Sequence, residues 1–365
     1  MQSQNKIDRK RIAYMGALAL MFNYAEMFLP RIIPFFRLGL GNTIVLLALE
    51  MNPLEFLILN LVRIVSGCML NGTLLSPFFI ISFLQGIVSS FFMYGIYRLC
   101  SKKKLLSVYG ISVFGAAVST VVQIFTCVLY LGESVVSFLG PMLFFSVFSG
   151  FVTAFFADHI DLPYKTPELV VSEGESNTDF DSKIHIYLII LLIICCVVFA
   201  MMQKSMWFLL LFMFSSMVFQ RLCGRKLRIV PHILLWIFIL LCSLLSPSGK
   251  VILQIGFLSV TENALFDGII KASKLSAVMA LSQAAGGIRP VVSDESVLSL
   301  VIMYFTGLSE VFKRSSGRLM ERLKLTLSSD KIICKPDKKM KITLIKTVGF
   351  TVFTGVLYLA IYLFG

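Results

Sequence analysis

Apolar segments of membrane-spanning length follow one another from Ile12 to Phe364, interrupted by one acidic linker and one long basic stretch. A hydrocarbon core of about 30 Å needs roughly 20 apolar residues per helix, which these runs approach. In lipid the backbone must satisfy its own hydrogen bonds, so helices are the expected form. A mean hydropathy of +0.87 with 15% charged residues excludes an ordinary soluble domain. The sequence therefore predicts an all-α polytopic membrane protein, and its function must come from the few polar groups kept inside.

The apolar runs fall at 12–29, 39–51, 54–70, 77–98, 106–131 and 137–157, then at 184–202, 205–220, 229–245, 263–285 and 342–364. That makes about eleven transmembrane helices in a six-plus-five arrangement. Residues 1–157 read as one membrane domain and 184–365 as a second, with a cytoplasmic region at 288–341. Between them, 158–183 carries seven acidic residues against Lys165 and Lys183, with Pro163 and Pro167, and reads as a linker. Lys6, Arg9, Lys10 and Arg11 place the N-terminus in the cytoplasm of a cell-membrane protein. Lys102 to Lys104, Arg221 to Arg228 and the basic stretch then fall on the same side, and Gly365 outside. The opening MQSQNKIDRKR leads into a retained first helix, not a removed signal peptide. The net charge of +13 follows from this topology and does not call for nucleic acid.

Arg31 and Arg37 break the pattern, falling outside between the first two helices. With Asn42 they occupy PRIIPFFRLGLGN, irregular backbone suited to lining a cavity, where two guanidiniums could hold a phosphate or carboxylate or contact lipid headgroups. In the third helix, Asn60, Arg63, Gly67 and Asn71 share an arc of roughly 80°. A mid-span Arg is costly and faces a cavity or a partner, either a bound anion or a structural mate such as Glu50 or Glu55. Ala13 and Ala17 in the first helix form a small-residue pair suited to close helix packing.

Val297, Leu300, Val301, Tyr304, Leu308, Val311 and Phe312 recur at helical spacing in the cytoplasmic stretch, followed by Lys313, Arg314, Arg318, Arg322 and Lys324. This basic amphipathic segment lies on anionic lipid or docks on a cytosolic partner. There is no Walker A loop, no pair of carboxylate motifs for a Mg²⁺-bound diphosphate, and no Cys-x-x-Cys among the eight cysteines. Three distant histidines suggest no metal site.

GLGNTIVLLAL, LVRIVSGCMLNGTLLSPFFIISFLQGIVS and YGISVFGAAVS resemble Gx transporters, commonly labelled heptaprenyl diphosphate synthase component I, over about residues 10–160. Such proteins look like the substrate-binding S components of energy-coupling factor (ECF) transporters. Residues 184–330, with SLLSPSGKVILQIGFLSVTENALFDGIIKASKLSAVMALSQAAG, resemble the T component of the same transporters. The resemblance implies uptake of a small vitamin-, flavin- or isoprenoid-related molecule. It implies no cofactor bound by this chain, ATP being hydrolysed on partner ATPase subunits. It also implies an S-component first helix docked through Ala13 and Ala17, and ATPase coupling at Arg314 and Arg318, although the alanine of that motif is absent at both. Arg31, Arg37, Asn42, Asn60, Arg63 and Asn71 are the substrate candidates, and no residue is a catalytic candidate. The family label leaves an alternative, a membrane enzyme or partner in polyprenyl diphosphate synthesis.

Overall fold

The computed structural model describes residues 8–26, 39–100, 106–160, 166–171, 180–227, 229–245, 249–255, 258–286, 296–329, 331–334 and 344–364. Arg31 and Arg37 lie outside the described residues, as does much of the 158–183 linker.

The N-terminal half comprises α1 (Arg9–Glu26), α2 (Asn42–Leu47), α3 (Pro53–Asn71), α4 (Pro77–Cys100), α5 (Val108–Leu131) and α6 (Leu139–His159), with a 3-10 turn at Glu133–Phe138 before α6. Local chemistry sets the limits of α3. Pro53 opens its first turn, and Gly72 closes it in the left-handed region at φ +67°, where its N–H reaches Met69 O and that of Thr73 reaches Cys68 O. Ser107 caps α5 by accepting from Gly110 N. The segment 39–51, read as a short span, contains only the six residues of α2 as α-helix, too short to cross a bilayer.

Four described stretches are long and apolar enough to cross a membrane: Pro53–Asn71, Pro77–Cys100, Val108–Leu131 and Glu133–His159. Shorter apolar helices occur in the C-terminal half, so the all-helical membrane class stands while a count of eleven spans does not follow. Helix α1 belongs to neither group. Every residue from Ile12 to Phe22 is buried inside the protein, so its apolarity serves protein contacts.

The C-terminal half contains α7 (Phe180–Met202), α8 (Met206–Leu222), α9 (Ile229–Leu244), an antiparallel pair β2 (Val251–Ile255) and β3 (Leu258–Thr261), and α10 (Glu262–Ala285). After these come α11 (Val297–Arg314), α12 (Leu319–Leu327), β4 (Lys331–Cys334) and α13 (Leu344–Phe364). Phe208, Phe212, Phe219, Val278, Leu281 and Phe350 form the core of α7, α8, α10 and α13.

Helices α11 and α12 do not join that core. Val301, Tyr304, Leu308, Phe312, Leu323 and Leu327 are buried with Ile12, Ala13, Ala17 and Phe22 of α1. The 297–312 periodicity is thus a helix whose apolar face is covered by the chain itself. A strand, β1 (Glu168–Val171), lies within the acidic linker and pairs in parallel with β4, Leu169 opposite Ile332. Gly307 of α11 lets β4 approach closely, since a Cβ there would lie 3.1 Å from the Ile333 carbonyl oxygen.

The two halves also meet end to side. Leu75 N, in the turn after α3, donates to Ser282 Oγ at 3.0 Å. Lys271 Nζ donates to Leu131 O, at the C-terminal end of α5, at 3.2 Å. These turns lie at one end of the antiparallel α3–α6 bundle, yet they touch α10 eleven residues apart, about 16 Å along its axis. The bundle therefore abuts the side of α10. Charge bias puts the turn after α3 outside and the end of α10 inside, but atoms 3.0 Å apart share one depth, so the structure does not accommodate both assignments.

Candidate functional site

The site is built on α3. Among the described residues Arg63 is the only Lys, Arg, Asp or Glu whose side chain is buried, at 8% exposure. Its Nη1 donates to Asn42 Oδ1 at 2.7 Å and, at 3.5 Å, to Gly41 O. Its Nη2 donates to Ser90 Oγ at 3.4 Å, and its Nε has no partner. No carboxylate pairs with it among the described residues. Glu50 instead accepts from Tyr97 Oη at 3.4 Å. Neutral partners hold the guanidinium in place but do not balance its charge, and a buried unbalanced charge costs several kcal/mol.

Three elements converge to make this arrangement. Leu40 N donates to Glu26 Oε2 at 3.2 Å, and Thr43 Oγ1 to Thr153 O at 3.4 Å, which fix the start of α2 between α1 and α6. Gly41 leaves room for the Asn23 side chain, whose Oδ1 would lie 2.5 Å from a Cβ there. On α4, Gly86 permits close approach to α3, since its Cβ would meet Ile64 Cδ1 at 2.8 Å. Ser90, one turn later, thereby reaches Arg63. Asn60, one turn before Arg63, is fully buried; its Nδ2 donates to Phe56 O at 2.9 Å, while its Oδ1 has no partner.

Asn42, Asn60 and Arg63 therefore lie in one buried neighbourhood. Asn71 does not join them: it is exposed at the C-terminal end of α3. The shared arc sets direction but not depth, and eight residues separate Asn71 from Arg63 by about 12 Å along the axis. Sequence reasoning missed Ser90 and Gly41. The Gly86 and Ser90 pair, four residues apart, was the available signal of close packing on α4.

Ala13 and Ala17 are fully buried in the core that α1 shares with α11. Between them, Gly16 faces Val301, whose Cγ2 would lie 3.1 Å from an added Cβ. Tyr14 and Tyr304 meet edge to face with centroids 5.7 Å apart, and Tyr304 Oη donates to Pro167 O at 3.1 Å. Arg314 is exposed at the end of α11, 3.9 Å from Glu310. Arg318 is exposed at the start of α12, its backbone N–H donating to Glu321 Oε2 at 3.0 Å. The two basic side chains thus flank the turn between α11 and α12. Lys274, a second cation of α10 that sequence reasoning passed over, donates to Met201 O at the end of α7 at 3.0 Å. Like Lys271, it meets the negative end of a helix dipole.

Residues 15–160 match a family model described as heptaprenyl diphosphate synthase component I. Residues 183–285 match a model described only as a domain of unknown function. Neither the curated proteins nor the solved structures contain a match to the chain.

Proposed function

We propose that this chain is the membrane component of an ECF-type uptake system, with a substrate-binding N-terminal bundle and a C-terminal half that recruits separate ATPase subunits. The observation that carries the reading is the α1–α11 contact. An amphipathic arm from one half is seated on the small-residue helix of the other, through Gly16 and Val301 with Ala13 and Ala17 buried beside them. Motion of the arm would be felt directly at α1, which packs on α3 and hence on Arg63. The exposed Arg314 and Arg318 at the far end of the arm are suited to a carboxylate-lined groove on a cytosolic partner.

The N-terminal match to a family described as a synthase component keeps an enzymatic role as the rival reading. The candidate site favours binding. Arg63, held by Asn42 and beside Ser90 and Asn60, is suited to an anion, and neither amides, a guanidinium nor a hydroxyl titrates near neutral pH as a general acid or base does. The test is capture of ATPase subunits by the tagged full-length chain from native membranes. Wild type retains them, and Arg314→Glu with Arg318→Glu loses them while the chain remains inserted and monodisperse. Failure of wild type to capture any nucleotide-hydrolysing subunit refutes the proposal.

A further inference from the structure

The buried guanidinium lacks a counter-anion, and its hydrogen bonds are unevenly distributed. Asn42 and Gly41 occupy Nη1. The opposite edge, formed by Nε and Nη2, carries only the long contact to Ser90. Those two N–H groups point in parallel and match the two oxygens of a carboxylate or phosphate. Gly86 of α4 stands beside this edge, a Cβ there lying in ordinary contact at 3.9 Å from Nη2. One turn away stands the second unmet demand, the buried Oδ1 of Asn60. Its orientation is fixed because the amide nitrogen already donates to Phe56 O. A buried acceptor without a donor costs about 1–3 kcal/mol, as a free charge costs more, and both deficits lie on one face of α3.

We infer that Arg63 and Asn60 together recognise a small molecule bearing an oxyanion, carboxylate or phosphate, and a hydrogen-bond donor that reaches Asn60 Oδ1, one helical turn away on the same face. The inference rests on the reading of the N-terminal bundle as the substrate-binding module. The oxyanion takes the Nε–Nη2 edge and balances the charge, while Asn42 continues to hold Nη1. The donor, a hydroxyl or amine, fills Asn60 Oδ1. A purely hydrocarbon ligand meets neither demand.

The test uses the full-length chain in lipid-free detergent and compares thermal unfolding in chloride with unfolding in inorganic phosphate, butyrate and 4-hydroxybutyrate at matched ionic strength. In wild type at least one oxyanion raises the midpoint over chloride by about 2 °C or more. Arg63→Gln and the charge-conserving Arg63→Lys, which lacks the fork, abolish that rise. The 4-hydroxybutyrate shift exceeds the butyrate shift in wild type and equals it in Asn60→Leu. No oxyanion response in wild type, or an equal response in both Arg63 variants, overturns the inference. So does a response that appears only on adding phosphatidylglycerol, which would assign Arg63 to a lipid headgroup. ATPase capture by the same preparations separates the two claims. An Arg63-dependent anion response without capture leaves the site standing and refutes the transporter reading; capture without the response does the reverse.

Discussion

Gly72→Ala tests the seam between the two halves. Gly72 ends α3 at φ +67°, and a Cβ there would lie 2.7 Å from Gln283 Cα, a backbone atom of α10 that cannot turn aside. The reverse contact is also tight, since a Cβ on Gly286 would lie 2.9 Å from Gly72 Cα. Two costs therefore add. The left-handed backbone costs alanine about 1–2 kcal/mol. Overpacking against backbone adds about 1–3 kcal/mol, for a total of about 2–5 kcal/mol. Gly72→Asn separates the terms, because asparagine tolerates the left-handed region but still carries the Cβ. Gly349→Ala is the control, a helical glycine with nothing within 4 Å of its added Cβ. The assay is thermal unfolding together with disulfide trapping of Leu75→Cys with Ser282→Cys, in a background lacking the native cysteines. Both Gly72 variants should melt earlier and trap less, and Gly349→Ala should match the parent. Wild-type melting and trapping by Gly72→Asn would show that the halves do not meet as described.

Three other perturbations follow from the same contacts. Gly307→Ala should displace β4 from α11 and destabilise the chain by about 1–3 kcal/mol, read as increased protease cleavage near 331–334; unchanged cleavage would deny the strand its place. Lys271→Met should strand the Leu131 carbonyl and cost about 1–2 kcal/mol in thermal unfolding, whereas Lys271→Arg should retain most of the stability; an equal loss in both would place the effect elsewhere. Asn42→Ala should loosen Arg63 and weaken any oxyanion-dependent stabilisation several-fold without abolishing it, and complete loss would mean that Asn42 itself touches the anion.

The helices were legible because length and apolarity suffice to call them, as for α4 and α5. Hydropathy could not reveal that α1 is enclosed by protein, since lipid and a protein core select the same side chains. The strands β1 and β4 were illegible for a different reason. ELVV and KIIC are four-residue segments within charged surroundings, and only their mutual pairing and the notch at Gly307 make them strands. At the site, the cost of a mid-span Arg singled out Arg63, and one helical turn brought in Asn60. Joining Asn42 to them needed the fold, because 21 residues and the placement of α2 separate it from Arg63. Asn71 shows the limit of angular reasoning, matching the arc while standing at the helix end.

Binding of an anionic small molecule by the N-terminal bundle through Arg63 is best checked by mass spectrometry of what co-purifies with the full-length chain. Wild type should carry a small molecule with a carboxylate or phosphate and a hydroxyl or amine nearby, and Arg63→Gln, equally well inserted, should lose it. An identical small-molecule profile from both proteins would contradict the claim. A prenyl diphosphate converted to longer products on addition of isopentenyl diphosphate would replace it with the synthase reading.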